Sequence, residues 1–266
     1  MNNEILIVKK ILSQLKTKWL GKSLFFYKNV TSTNDLALQW INQKVVKTGS
    51  IIIANTQTAG RGRFKRKWFS SNKGLWFSII LNISNYNNKI PDFFTIATSV
   101  GIVQAFETFK LKATIKWPND VFLNNKKICG ILTEVGYSPQ NEKFLIIGIG
   151  VNVNQSRKDF PIEIQRYATS IFLEKKIRIS KFKLLQIILS KLEGIFLKIQ
   201  KGEHEYILTA WKHHTKIMGR QVEVFNNNKS FFGEVQKIDL NGNLYIRTDQ
   251  GVVKKINAGE IRILSV

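Results

Sequence analysis

Two short stretches hold most of the residue types that could do chemistry: Gly60-Arg61-Gly62-Arg63 running on to Trp68, and Lys116-Trp117-Pro118-Asn119-Asp120 followed by Lys127. In the first, alternating glycines let the backbone approach a ligand closely, while Arg61, Arg63 and Arg66 offer planar forks to carboxylate or phosphate. Five cations fall within the seven residues from Arg61 to Lys67, so the loop repels itself and is predicted to be mobile until an anion orders it. Trp68 could cover a purine face or sit in a core, and composition alone suits a basic nucleic-acid loop equally well. In the second stretch a proline of fixed φ ends a strand and aims polar groups into a cleft. Asn119 and Asp120 could hold Mg2+ and nucleotide phosphates, since Mg2+ is usually held by one or two carboxylates plus substrate phosphates. The plainer alternative is a solvated aspartate at a proline turn. Lys127 can reach a pocket as a point charge or stay solvated. Together the stretches can hold two anions and a purine, which is what activating a carboxylic acid with a nucleotide requires.

Other chemistry is weaker. Gly148-Ile149-Gly150-Val151-Asn152 lacks the third glycine and the following helix of a dinucleotide turn, so small residues leaving space on a buried strand is the better reading. His204, His213 and His214 have no cysteine or spaced partner for a metal site. No Ser/His/Asp-type set stands out.

The elements that must position these groups follow from periodicity. Ile5, Val8, Leu12, Leu15 and Trp19 predict an amphipathic helix over Glu4 to Trp19, too little for a separate helix-turn-helix domain. Leu24 to Val30 reads as a strand, and Thr31 to Asn34 supply N-cap chemistry for a helix ending between Gln39 and Gln43. Ser50 to Ala54 reads as a buried strand delivering Gln57 to the mouth of the arginine loop, and Gly74 to Asn82 as the next strand. Asp92 to Lys110 is helical, with Phe93, Ile96, Val100, Val103 and Phe106 near one face. A hairpin is predicted from Val121 to Val135 around Asn124 to Lys127, then a strand from Phe144 to Val153, and helices over Lys181 to Lys201 and Glu205 to His213. Beyond Gly219, five short alternating runs separated by turns at Asn226 to Asn228 and Asn241 to Asn243 predict a small barrel.

The bulk properties bound the partners. The chain has 266 residues, 44% of them apolar, enough for one sizeable core and a small appended domain. No run of about 18 apolar residues occurs, and the N-terminal segment has neither a cleavage site nor transit-peptide composition. The single Cys129 excludes an intramolecular disulfide and fits a reducing cytoplasm. A formal charge of +23 could steer an acidic acceptor, nucleotide or DNA, but lysine is spread over almost every segment and outnumbers arginine severalfold, a bias compatible with an AT-rich genome.

Set in order, Ser32-Thr33-Asn34, Gln57, Gly60-Arg61-Gly62-Arg63 with Trp68, Lys116 to Asp120, Lys127 before Gly130, and Gly148 to Asn152 resemble the biotin protein ligases over nearly the whole chain. The resemblance implies an α+β fold: a mixed β-sheet flanked by helices, like the class II aminoacyl-tRNA synthetases, over residues 1–215, and an SH3-like barrel over 216–266. It implies that biotin's carboxylate attacks the α-phosphate of ATP, giving biotinyl-AMP, and that a lysine of a biotin carboxyl carrier domain then takes the biotinyl group. Carried over by motif, Ser32, Thr33, Asn34 and Gln57 line the biotin end. Arg61, Gly62, Arg63 and Lys127 meet carboxylate and phosphate, while Arg66, Trp68, Asn119, Asp120 and Asn152 serve the nucleotide. Lys127, Arg63 and Asp120 are the catalytic set, with Asp120 also the Mg2+ ligand. Phe64-Lys65 depart from the family loop, which often carries a further glycine there. Too few residues precede Thr31 for the winged helix of the bifunctional members, so a repressor role and sequence-specific DNA binding are not expected. An exposed sheet edge could carry a ligand-induced homodimer, and monomer and dimer stay open. A lipoate ligase of similar fold and a basic nucleic-acid-binding protein are the alternatives; salt-sensitive, biotin-independent binding would mark the latter.

Overall fold

The computed structural model describes residues 2–43, 46–84, 91–226, 229–257 and 259–264. Its first helix, α1 (Asn2–Ser13), ends six residues before the sequence reading places its end. The reason is Glu193, whose buried carboxylate accepts the backbone N–H groups of Lys18, Trp19 and Leu20 at 2.8, 2.8 and 3.0 Å and draws the chain out of the helix. Of the predicted stripe, Leu15 is buried and Val8, Leu12 and Trp19 pack against the main core, whereas Ile5 is 51% exposed; Ile11, outside that stripe, is buried as well.

Strand β1 (Leu24–Val30) leads to α2 (Thr33–Asn42), whose N-cap Ser32 accepts from Asp35 N. Then follow β2 (Ser50–Gln57), β3 (Leu75–Asn82) and α3 (Pro91–Glu107). Helix α3 is buried on nearly every side because it lies between the sheet and two later helices, so it lacks the polar face a surface helix would keep. Strands β4 (Thr114–Lys116) and β5 (Asp120–Leu123) flank the cis Trp117–Pro118 peptide. The hairpin from β5 into β6 (Lys126–Tyr137) turns on Asn124 and Asn125 alone, both left-handed, so Lys127 already belongs to a strand. Strand β7 (Lys143–Val151), the short α4 (Ile171–Lys175), which sequence periodicity did not indicate, α5 (Lys181–Gln200) and α6 (His204–His214) complete this part.

The large sheet runs β1-β2-β3-β7-β6-β5-β4, parallel between β1 and β2 and antiparallel elsewhere. Helix α2 covers one face over Ala37, Ile41, Ile52 and Ile80, and the main core lies on the other against α3, α5 and α6. Strands β8 (Gln221–Asn226), β9 (Lys229–Ile238), β10 (Leu244–Thr248), β11 (Val253–Ile256) and β12 (Glu260–Ile263) form a second, antiparallel sheet in the order β11-β10-β9-β8-β12. The five predicted strands are present; among the described residues β11 and β12 share no ladder, so closure of the barrel is not by hydrogen bonds between them. Asn227 and Asn228 of the predicted turn lie outside the described residues. The two sheets meet where buried Trp117 donates its indole N–H to Gly242 O at 3.0 Å. No helix among the described residues is long and apolar enough to cross a membrane.

Candidate active site

A cavity of about 720 Å3 opens between the first turn of α2, the end of β2, the Gly60–Trp68 loop, the β5–β6 hairpin and the glycines of β7. Every residue singled out from the sequence lines it: Ser32, Thr33, Asn34, Gln57, Arg61, Gly62, Arg63, Arg66, Trp68, Asn119, Asp120, Lys127 and Asn152.

One end is a network of neutral polar groups. Gln57 accepts from Thr33 N at 2.8 Å and from its hydroxyl at 3.2 Å, and donates to Ser70 Oγ at 2.8 Å. Ser78 Oγ lies 2.7 Å from Thr33 Oγ1 and 2.6 Å from Asn34 Oδ1, and Asn34 Nδ2 donates to Glu134 at 2.6 Å. Gly148 makes this possible: a Cβ there would stand 2.3 Å from Asn34 Oδ1. Ser78 and Glu134 were not found from sequence, although a lone hydroxyl inside the apolar run Leu75-Trp76-Phe77-Ser78-Ile79-Ile80 is a legible signal.

The arginine loop folds back on itself. Trp68 N bonds Gly60 O at 2.8 Å, Arg61 pairs with Lys67, and Gly62 N bonds Arg66 O at 2.7 Å. Its tip is strained, with Phe64 at φ 56° and Lys65 at φ 57°, which side chains disfavour by about 1–2 kcal/mol each. The guanidinium groups of Arg63 and Arg66 lie 5.0 and 5.8 Å from the Phe64 ring centroid, so the residues replacing the family glycine hold these arginines by cation–π contact. The self-repulsion expected of the loop is met by carboxylates. Arg61 pairs with Asp35 and, at 3.0 Å, with Glu134; Arg66 pairs with Glu260 of β12. Burial would lower the Arg61 pKa, but its hydrogen bonds to Asp35 and Glu134 outweigh this and raise it. Arg63 reaches Asn119 Oδ1 at 3.4 Å and Gly259 O at 3.3 Å. Burial lowers its pKa, partly offset by the fields of Asp120, Asp92 and Glu260, and it stays charged.

At the other end Lys127 Nζ lies 2.7 Å from Asp120 Oδ1 and 5.2 Å from the Trp68 ring centroid. That Asp120 oxygen is buried and accepts no hydrogen bond of regular geometry among the described residues. It is a single carboxylate: no group of three His, Cys, Asp or Glu able to hold a metal occurs among them. A divalent ion would therefore have to bring its other ligands as phosphate and water. Asn119 spans the β5–β6 register, donating Nδ2 to Ile131 O at 2.8 Å, and buried Asn152 donates its N–H to Ile128 O at 2.9 Å. The Trp68 indole lies on Gly130 and Gly150, edge to face with Trp76, its Nε1 buried with no hydrogen-bond partner among the described residues. Burial pushes the Cys129 thiol well up, so it is no nucleophile.

The third wall was not legible. Phe160, Ile164, Tyr167 and Ala168 come from a stretch of short 3-10 turns without periodicity, fixed by Lys127 N to Tyr167 O at 2.7 Å and Thr169 N to Lys127 O at 2.9 Å.

Residues 26–154 match the Biotin/lipoate A/B protein ligase family, and residues 217–263 match the Biotin protein ligase C terminal domain. The bifunctional ligase/repressor BirA of Bacillus subtilis is 34% identical over 251 residues, 94% of this chain and 76% of that protein. Its counterpart in Escherichia coli is 30% identical over 98% of this chain and 79% of that protein. Among solved structures, the biotin protein ligase from Aquifex aeolicus in complex with biotin and ATP superposes with a TM-score of 0.79 at 28% identity, covering 92% of this chain and all of that one.

Proposed function

This chain belongs to the biotin protein ligase family, and from that premise we propose how its cavity divides the work of an ATP-dependent biotin ligase. The reaction joins biotin and ATP to give biotinyl-AMP and pyrophosphate, then passes the biotinyl group to a lysine of a biotin carrier domain. The observation that carries the assignment is the polarity of the cavity: neutral hydrogen-bonding groups at Thr33, Asn34 and Gln57, cations at Arg63, Arg66 and Lys127. Such a groove suits a ligand with a ureido head and a carboxylate tail. A dithiolane head brings no N–H donor for the Asn34 carbonyl oxygen at the first end, which disfavours lipoate.

In the first step a carboxylate oxygen of biotin bonds to the α-phosphorus and the bond to pyrophosphate breaks. Two anions meet, so neutralisation is the main need and positioning the second. Lys127 stands where it can stabilise the attacking oxygen and the mixed anhydride, and Arg63 the phosphate. Asn119, Asp120 and Asn152 face the nucleotide, with Phe160, Ile164 and Tyr167 giving the base an apolar wall. Asp120 would hold a nucleotide-borne Mg2+, whose chemistry there is neutralising phosphate charge. Trp68, seated on the glycines beside Lys127, borders the carboxylate more closely than a purine. In the second step the acceptor amine attacks the anhydride carbonyl, AMP leaves, and Asp120 is the carboxylate placed to take the amine proton. The proposed division is residues 1–215 for the catalytic part and 216–266 for the small sheet, which reaches the cavity through Gly259 and Glu260.

The test is incubation with Mg-ATP, biotin and a carrier domain, reading by mass spectrometry one biotinyl group on one carrier lysine. Lipoate accepted in place of biotin would overturn the reading.

A further inference from the structure

Arg61 lines the cavity, but both of its terminal nitrogens are engaged by carboxylates. Nη1 lies 3.0 Å from Glu134 Oε1, and Nη2 reaches Glu134 Oε2 at 3.3 Å as well as Asp35 Oδ1. One cation against two carboxylates makes this cluster net negative, whereas Arg63, Arg66 and Lys127 outnumber Asp120 and Glu260 at the other end. A phosphate is repelled from the first cluster and drawn to the second. Asp35 and Glu134 do not themselves line the cavity; they act from behind it.

Glu134 has a second consequence. As an ionised carboxylate it can only accept, so the Asn34 amide must present Nδ2 to it, at 2.6 Å, and to Leu132 O at 3.3 Å. Asn34 Oδ1 is thereby turned to Ser78 Oγ, over Gly148, with a lone pair left for a donor in the cavity. A ureido group brings two N–H donors.

We propose that Glu134 and Asp35 are positioning residues for the biotin end: Glu134 fixes which end of the Asn34 amide faces the cavity, and the two carboxylates hold Arg61 as a strap binding the loop to α2 and β6. Arg61 is on this account not a phosphate ligand, in contrast to its expected role. The inference rests on the biotin ligase reading and adds residues that the sequence did not single out.

Biotin-dependent ATP–pyrophosphate exchange by the full chain, with biotin and Mg-ATP varied separately, tests it. Glu134→Gln lets the Asn34 amide turn over, and the KM for biotin should rise about tenfold, with kcat and the KM for ATP within about twofold. Arg61→Met should move the same constant, and the Glu134→Gln/Arg61→Met pair should be no worse than the more severe single change. Asp35→Asn, at a half-buried position in the first turn of α2, should give a smaller shift of the same kind and serves if Glu134→Gln fails to fold. A raised KM for ATP in Arg61→Met with biotin KM unchanged would make Arg61 a phosphate ligand and overturn the proposal. So would parental biotin KM in both carboxylate variants. Absence of biotin-dependent exchange in the parent would instead sink the ligase reading, and this inference with it.

Discussion

Replacing Gly150 by alanine tests how the Trp68 indole is seated. A Cβ there would stand 2.5 Å from Trp68 Nε1 and 2.6 Å from Cε2, against about 3.5–4.0 Å for normal contact. The indole is rigid, and Trp76 behind it is fully buried, so the ring must move by about 1 Å or leave the glycine floor. A shift costs about 1–3 kcal/mol, and full expulsion forfeits up to about 4 kcal/mol of indole burial. Gly130 supplies a milder comparison, since its Cβ would meet Trp68 Cζ3 at 3.0 Å; about 1 kcal/mol is expected. Gly194, inside α5, has nothing within 4 Å of its Cβ, so Gly194→Ala should stabilise by about 0.5–1 kcal/mol. Urea unfolding followed by circular dichroism gives the order, and biotin-dependent exchange gives the functional cost. Because Trp68 N bonds Gly60 O, displacement of the indole is transmitted to the arginine loop, and Gly150→Ala should lose activity more steeply than Gly130→Ala. A Gly150→Ala protein as stable and active as its parent would refute the seating of Trp68.

Lys127→Met should slow adenylate formation by about 100-fold or more, measured by pyrophosphate release; turnover within about fivefold of the parent returns Lys127 to a structural partner of Asp120. Arg63→Gly should speed loss of the adenylate, read as its off-rate from the purified complex, with equal off-rates counting against the clamp. Burial would raise the Glu193 pKa, but three backbone N–H donors outweigh it and depress it. Its stabilising effect is therefore complete above the ordinary carboxylate range and is lost as pH falls through the lower folded value. The acid limb of the stability curve should flatten in Glu193→Gln, and an unchanged limb would contradict this.

Most helices were legible because each buries one face with the period of its element, and the central strands β2, β3 and β7, buried on both faces, because each is a short unbroken apolar run. Where burial is two-sided the period disappears, as in α3, and where a distant side chain takes over backbone donors a helix stops early, as Glu193 stops α1. The site residues were legible as types at spacings, since glycine, arginine and the Lys116–Asp120 run are unusual locally. Their partners were not. Asp35 and Glu134 are 99 residues apart and look like surface acids until α2 and β6 bring them to Arg61, whose charge they take up. The apolar wall at Phe160 to Ala168 has no repeating pattern and is held by hydrogen bonds to β6.

The pairing of Asn34, Thr33 and Gln57 with Ser78, Ser70 and Glu134 bears on how this cavity can be remodelled. Each pocket side chain is also the mate of a group on another element, so enlarging the cavity at one position strands an unsatisfied neighbour beneath the sheet surface. Acceptance of a bulkier ligand would then come only from concerted exchanges, for example at positions 34, 78 and 134 together, and libraries varying one residue at a time would return poorly folding proteins before they returned new specificities.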